Sequence, residues 1–123
     1  MKVFVTLVAL SLATPAAAQE GVRDEDRLLQ PAEMTELLMG AVLEFFDGSK
    51  STYGSDGSYG YTYTDDGPVW GGVYRVAGPS EVCVDFDNGS RRCDRIVRAG
   101  ERLVLITEDG TRFPIRNRTV YQR

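Results

Sequence analysis

The sequence predicts a mainly antiparallel all-β domain, with about eight strands in an up-and-down meander or a small closed barrel and one short N-terminal helix. Glycine-containing turns recur every nine to eleven residues from position 48 to position 110. Short alternating segments lie between these turns, as expected for brief strands joined by tight connections. One turn, Asn88-Gly89, is the strongest hairpin signal, and a cysteine lies on each side of it.

The chain begins with the features of a cleavable signal peptide, Met1 to Ala18. A basic residue precedes an apolar stretch at 3–13, and small residues follow at 16–18. We therefore expect a periplasmic or secreted protein. No later stretch approaches the roughly 20 apolar residues of a bilayer span, so we expect no transmembrane segment in the mature chain. Residues 19–29 are predicted to form a flexible charged leader, and residues 30–123 a single small β domain.

A short helix is predicted over 31–39. Its first residue is a proline, which suits the start of a helix, and Gly40 offers a left-handed stop. Met34, Leu37 and Leu38 share one face. So short a helix needs tertiary support, so we expect that face to lie on a sheet or close a barrel end. A partner-binding arm is the alternative.

Eight candidate strands follow the helix. They are 41–46, 50–55, 58–64, 69–76, 80–86, 90–98, 101–107 and 111–116. Sequential neighbours joined by short turns should pair antiparallel. Closure into a barrel would remove the sheet edges, whereas an open twisted sheet would need the helix as a cover. Strands this short leave an interior that side chains fill, so a lipocalin-sized cavity is not expected.

The two cysteines indicate the strand register of one hairpin. A three-residue loop at 87–89 sets Cys83 opposite Cys93, whereas a two-residue loop would point the sulfurs to opposite faces. The same register sets two acidic residues of the first strand opposite two arginines of the second. In an exported protein this spacing predicts a structural disulfide, because a redox-active pair prefers Cys-x-x-Cys spacing.

Several motifs together resemble a group of short exported bacterial proteins common in alphaproteobacteria. The motifs are Leu-Leu-Met-Gly at 37–40, Ser-Asp-Gly-Ser at 55–58, Gly-Val-Tyr-Arg-Val at 72–76 and Cys-Asp-Arg-Ile at 93–96. The group combines a helix ending in Leu-x-Gly, an Asp-Gly hairpin, a Gly-x-Trp strand and a two-cysteine hairpin. Tyr74 stands here where tryptophan is usual. The group has no established activity, so the resemblance implies a fold and an exported location but no catalytic role.

The residue types present disfavour catalysis. The chain has no histidine, which removes the commonest general base and the commonest metal ligand. Two cysteines in a disulfide leave no zinc ligand set. Acidic residues such as Asp56 and Asp109 occupy turn positions where Asp is typical, and the stretch 85–89 lacks the spacing of a calcium loop. We therefore predict no enzyme, no cofactor and no metal.

An aromatic face is the first candidate partner-binding feature. Tyr59, Tyr61 and Tyr63 alternate on one face of a strand, with Tyr53 and Trp70 on adjoining strands. Tyr and Trp supply much of the energy of protein interfaces. Cross-strand packing is the alternative interpretation, and the small residues of the opposite face favour it.

Charge is the second feature. Fourteen acidic and four basic residues lie in 19–90, against four acidic residues and nine arginines in 91–123. The two parts can pair with each other. Alternatively, arginines such as Arg95 and Arg98 can dock an acidic partner or a phosphate. Nucleic acid is disfavoured by export and by the formal net charge of −4.

These observations predict a non-enzymatic exported domain that binds a periplasmic or secreted protein or an envelope component. An exported inhibitor of a protease or lysozyme-type hydrolase is the alternative, by analogy with small one-disulfide periplasmic barrels. In that alternative the leader could enter a protease cleft. A hydrolase that works through paired carboxylates is the least favoured hypothesis.

Overall fold

The computed structural model describes residues 2–6 and 20–121, so most of the predicted signal peptide lies outside the described residues. It contains one helix, α1 (Pro31–Leu38). The strands are β1 (Arg27–Leu28), β2 (Ala41–Phe45), β3 (Lys50–Tyr53), β4 (Ser58–Thr62), β5 (Trp70–Gly78), β6 (Glu81–Phe86), β7 (Arg91–Ala99), β8 (Arg102–Ile106) and β9 (Arg112–Val120). Within the described ranges no helix has the length and apolar character needed to cross a bilayer.

Strands β2 to β9 form a closed antiparallel barrel. Each strand pairs with the next along the chain, and β9 returns to pair with β2 from Phe45–Ile115 to Ala41–Val120. The predicted eight antiparallel strands are confirmed. Of the two predicted architectures, an open meander and a closed barrel, the structure has the closed barrel. β9 extends beyond the predicted end at residue 116, because its last residues find their partners on β2.

Side chains fill the barrel interior. The core includes Leu43, Phe45, Tyr53, Tyr59, Val82, Val84, Ile96, Leu105 and Ile115. At one end α1 closes the barrel, where Met34 and Leu38 are fully buried in the same core. The Glu33 carboxylate accepts a hydrogen bond from the Gln30 N–H at 3.2 Å at the start of the helix, and Gly40 follows its end with φ +70°. The helix is thus a barrel plug rather than a partner-binding arm.

The cysteine hairpin has the predicted register. Cys83 and Cys93 lie opposite each other and form a disulfide, with a Cα–Cα distance of 4.0 Å. That short distance fits a non-hydrogen-bonded pair. Gly89 adopts φ +88° in the three-residue loop, a conformation that favours glycine. The flanking charge pairs are Asp85–Arg91 at 3.6 Å and Glu81–Arg95 at 3.8 Å.

Residues 20–29 lie against the barrel, in contrast to the flexible leader expected from the sequence. Arg112 donates to both carboxylate oxygens of Asp26, at 2.6 and 3.1 Å, and to the Gly21 carbonyl at 2.8 Å. The hydrogen bond from Arg112 lowers the pKa of Asp26, whose side chain is fully buried. Val22 covers a small apolar cluster on the outer faces of β7 and β8. The members of this cluster are Val97, Val104 and Ile106.

Candidate functional site

The barrel end opposite α1 is open and leads into a cavity of about 270 Å³. The residues that line this cavity are Phe45, Asp47, Ser49, Ser51, Tyr61, Tyr63, Arg92, Leu105, Thr107 and Phe113. A depression of about 230 Å³ adjoins it, shares Tyr61, Tyr63 and Arg92, and adds Trp70 and Phe86. We call the cavity and this depression together the mouth.

The alternating tyrosines of β4 and of the turn after it lie at three depths toward the mouth. Tyr59 is buried and packs edge-on against Tyr53, which is also buried, with ring centroids 5.2 Å apart. Because neither side chain is accessible to a partner, Tyr53 and Tyr59 are not partner-binding residues, and that part of the prediction is wrong. Tyr61 is half-buried in the mouth wall, and Tyr63 at the rim is 64% exposed, with the two rings in edge contact at 5.0 Å. The tyrosine face is core at its base and surface at its rim.

Other exposed aromatic side chains complete the rim. Trp70 begins β5 opposite Tyr61 in the ladder and is 47% exposed. On the other side of the opening, Phe113 of β9 is 38% exposed and contacts Phe45 edge-on at 6.4 Å. The rim therefore presents aromatic area from several parts of the barrel: Trp70 and Phe113 lie on strands, and Tyr63 lies in the turn directly after β4.

Arg92 lies at the base of the mouth and is held by a buried carboxylate. Its Nε donates to Oδ2 of Asp94 at 3.0 Å, its Nη2 to the Tyr59 hydroxyl at 3.4 Å, and its guanidinium lies 5.6 Å from the centre of the Phe86 ring. Asp94 is only 2% exposed, and its Oδ1 has no hydrogen-bond partner among the described residues. Burial raises the pKa of Asp94, and Arg92 opposes that rise. The pair fixes the direction of the guanidinium toward the opening.

Sequence reasoning missed this pair, although a signal was present. The disulfide lies on the outer face of β7, so residues at even positions of that strand must face inward. Arg92 and Asp94 therefore occupy core-facing positions where apolar residues are normal. Two opposite charges two residues apart on the inner face of a strand indicate a pair held inside the barrel.

The turns around the mouth carry acidic residues and no basic ones. These turns are 46–49, 63–69, 87–90 and 107–111, and their acidic residues are Asp47, Asp65, Asp66, Asp87, Glu108 and Asp109. Hydrogen bonds from the neighbouring serine and threonine hydroxyls lower the pKa of Asp47 and of Asp109, so both are ionised at neutral pH. Lys50 at the start of β3 pairs with Asp65 at 2.9 Å. The aromatic rim thus lies within a negative field.

The two arginines that were candidates for docking an acidic partner, Arg95 and Arg98, lie in different parts of the structure. Arg95 reaches Glu81 on the outer face beside the disulfide, which is internal pairing of the acidic and basic parts of the chain. Arg98 lies at the other end of the barrel, where β7 ends, and makes no ion pair with any described residue. The two arginines therefore do not belong to one site.

Metal ligands do not converge in a usable form among the described residues. The one group found there is Glu81 with Cys83 and Cys93. The two sulfurs are bonded to each other and cannot act as thiolate ligands.

No protein-family model, curated protein or solved structure matches this chain. The resemblance to short exported alphaproteobacterial proteins therefore stays a prediction. The geometry and charge of the mouth are the basis for inferring a function.

Proposed function

We propose that this protein is a non-enzymatic exported domain that binds a basic protein partner at its mouth. The observation that carries the proposal is the concentration of exposed aromatic side chains around an acidic opening. The partner that fits this chemistry presents a loop or surface with lysine or arginine side chains.

The aromatic rim has the properties of an interface centre. Tyrosine, tryptophan and arginine dominate the energetic hot spots of protein interfaces, and Tyr63, Trp70 and Arg92 all line the mouth. The first two expose about half or more of their area. Trp70 and Arg92 lie on strands and the Tyr63 ring packs against Tyr61, so little conformational freedom is lost when a partner covers them.

The acidic turns explain why the partner should be basic. A negative field around the opening speeds the encounter with a positively charged surface and disfavours an acidic one. A cationic side chain that reaches the rim can also lie on an aromatic ring, which adds about 0.5–2 kcal/mol. Arg92 is already paired with Asp94, so it does not reverse the sign of the field.

An exported inhibitor of a protease or lysozyme-type hydrolase is the second candidate. The same acidic mouth would suit a hydrolase whose cleft carries basic residues. Insertion of the leader into a cleft is less supported, because Asp26 and Arg112 hold residues 20–28 on the barrel. Inhibition assays with basic and acidic hydrolases separate this candidate from a binder without inhibitory action.

The test is truncation of the rim. Trp70→Ala and Tyr63→Ala should each weaken capture of the partner from an extract of exported proteins by about 2 kcal/mol, roughly 30-fold, with little loss of stability. Tyr121→Ala is the matched control, since Tyr121 is an aromatic residue of similar exposure at the α1 end, where its N–H donates to the Gly40 carbonyl. Capture should also fall as salt is added. Equal capture by the rim variants and the wild type would reject the mouth as the binding site.

A further inference from the structure

Arginines line a cleft at the barrel end covered by α1, away from the mouth. This cleft has a volume of about 460 Å³ and lies where β7 ends, β8 begins and β9 passes. Its basic residues are Arg98, Arg102, Arg116 and Arg118, and its one acidic residue is Glu101. We call it the arginine cleft.

The arginines of the cleft differ from the others on β7 and β9 in their pairing. The others each have a carboxylate partner: Arg91 with Asp85, Arg92 with Asp94, Arg95 with Glu81 and Arg112 with Asp26. In the cleft, Arg116 pairs with Glu44 at 3.8 Å, whereas Arg98, Arg102 and Arg118 make no ion pair with any described residue. The pKa of the Glu33 carboxyl on α1 is lowered mainly by its hydrogen bond from the Gln30 N–H, and Arg98 lies close enough to contribute to that lowering. Three of the four cleft arginines therefore have no carboxylate oxygen within ion-pair distance among the described residues, and the cleft has an excess of positive charge.

Neutral contacts hold two of these side chains in position. The Nε of Arg118 donates to the Leu37 carbonyl at 2.8 Å and its Nη2 to the Glu36 carbonyl at 3.4 Å, at the end of α1. The guanidinium of Arg102 lies 5.3 Å from the centre of the Phe46 ring. These contacts fix the groups and leave their formal charge without a carboxylate partner.

This arrangement suits an oxyanion. Like charges on neighbouring strands repel, and a phosphate neutralises several of them while its oxygens accept forked hydrogen bonds from guanidinium groups. We propose that the arginine cleft binds a phosphate group, either in the headgroup of an anionic lipid or as free phosphate. Because the cleft and the mouth share no lining residue, phosphate and a protein partner can bind together.

The test compares two double variants of the purified protein. Arg98→Gln with Arg102→Gln removes two cleft charges, and Arg75→Gln with Arg91→Gln removes two arginines that both pair with Asp85. Binding is measured by co-sedimentation with phosphatidylcholine vesicles, with and without phosphatidylglycerol, and by calorimetric titration with inorganic phosphate. The cleft variant should bind its phosphate ligand about 10- to 30-fold more weakly, and the control should stay within about threefold of the wild type. Thermal melts verify that both variants fold.

Each outcome has a defined meaning. Binding to phosphatidylglycerol vesicles that millimolar phosphate does not displace identifies a lipid headgroup as the source. Binding of inorganic phosphate without vesicles identifies free phosphate. If the wild type binds neither probe, or if the two double variants lose the same affinity, the cleft is not a phosphate site.

Discussion

Replacing Arg92 by methionine tests the buried pair at the base of the mouth. The variant keeps a long apolar side chain but leaves Asp94, 2% exposed, without its cation. Breaking a buried ion pair costs about 3–5 kcal/mol, and we take about 3 kcal/mol because 35% of the Arg92 side chain is exposed. For a domain of this size that loss lowers the melting temperature by roughly 15 °C.

The cost should depend on pH in a defined direction. Burial raises the pKa of Asp94 above its unfolded value, and Arg92 counteracts this, so the variant should have a higher pKa still. Between the unfolded and folded pKa values the native state holds a proton that the unfolded chain has released, so stability falls as pH rises. In the variant the folded pKa of Asp94 is higher, so stability continues to fall with pH over a wider pH range. The penalty should therefore be largest near neutral pH and shrink as pH falls below the unfolded value of about 4, where the folded and the unfolded chain both hold the proton.

The assay is urea unfolding followed by circular dichroism at neutral and acidic pH. Arg91→Met is the matched control, because its partner Asp85 is half-exposed and the loss should stay below about 1 kcal/mol. The combined change Arg92→Met with Asp94→Leu should recover most of the lost stability. An Arg92→Met protein as stable as the wild type at neutral pH, or a penalty that does not change with pH, would refute the reasoning.

Two further predictions concern the rest of the fold. Reduction of the Cys83–Cys93 disulfide, which closes a loop with a sequence separation of 10, should lower the unfolding free energy by about 3 kcal/mol. Urea midpoints with and without reductant measure it, and identical midpoints would contradict it. Asp26→Ala should release residues 20–28 at a cost of about 2 kcal/mol, seen as faster amide exchange there. Because the pKa of Asp26 is lowered, wild-type protection should be complete above about pH 4 and disappear as pH falls through the folded value; unchanged exchange would oppose the idea.

Local chemistry made the barrel strands predictable. Gly48, Gly57 and Gly89 adopt positive φ, and each directly follows an Asp or an Asn. Each of these Asx-Gly turns marks the end of one strand and the start of the next. The spacing of the two cysteines also predicts the strand register of one hairpin. None of these inferences needs information about residues distant in sequence, which is why the eight strands and the helix were predicted.

Features that depend on distant residues were not predictable in the same way. Asp26 is buried because Arg112 meets it from β9, and β1 exists because Leu28 lies beside Val97 of β7. The segment around them is charged and without periodicity, so its own sequence indicates only flexibility. The mouth was predicted in part, since Tyr61, Tyr63 and Trp70 were candidates, whereas the acidic turns become one surface only when the barrel closes.

Barrel closure between β2 and β9 is also the strand pairing that joins the most distant parts of the β domain. Each hairpin from β2 to β8 joins strands that are neighbours in sequence, whereas Ala41 pairs with Val120, which is distant in sequence. Until that pairing forms, β2 is an unpaired edge, open to pairing with other chains. An intermediate in which β3 to β8 have paired and β9 has not is therefore the species most prone to aggregation, because nearly all of its sheet exists without the strand that seals it.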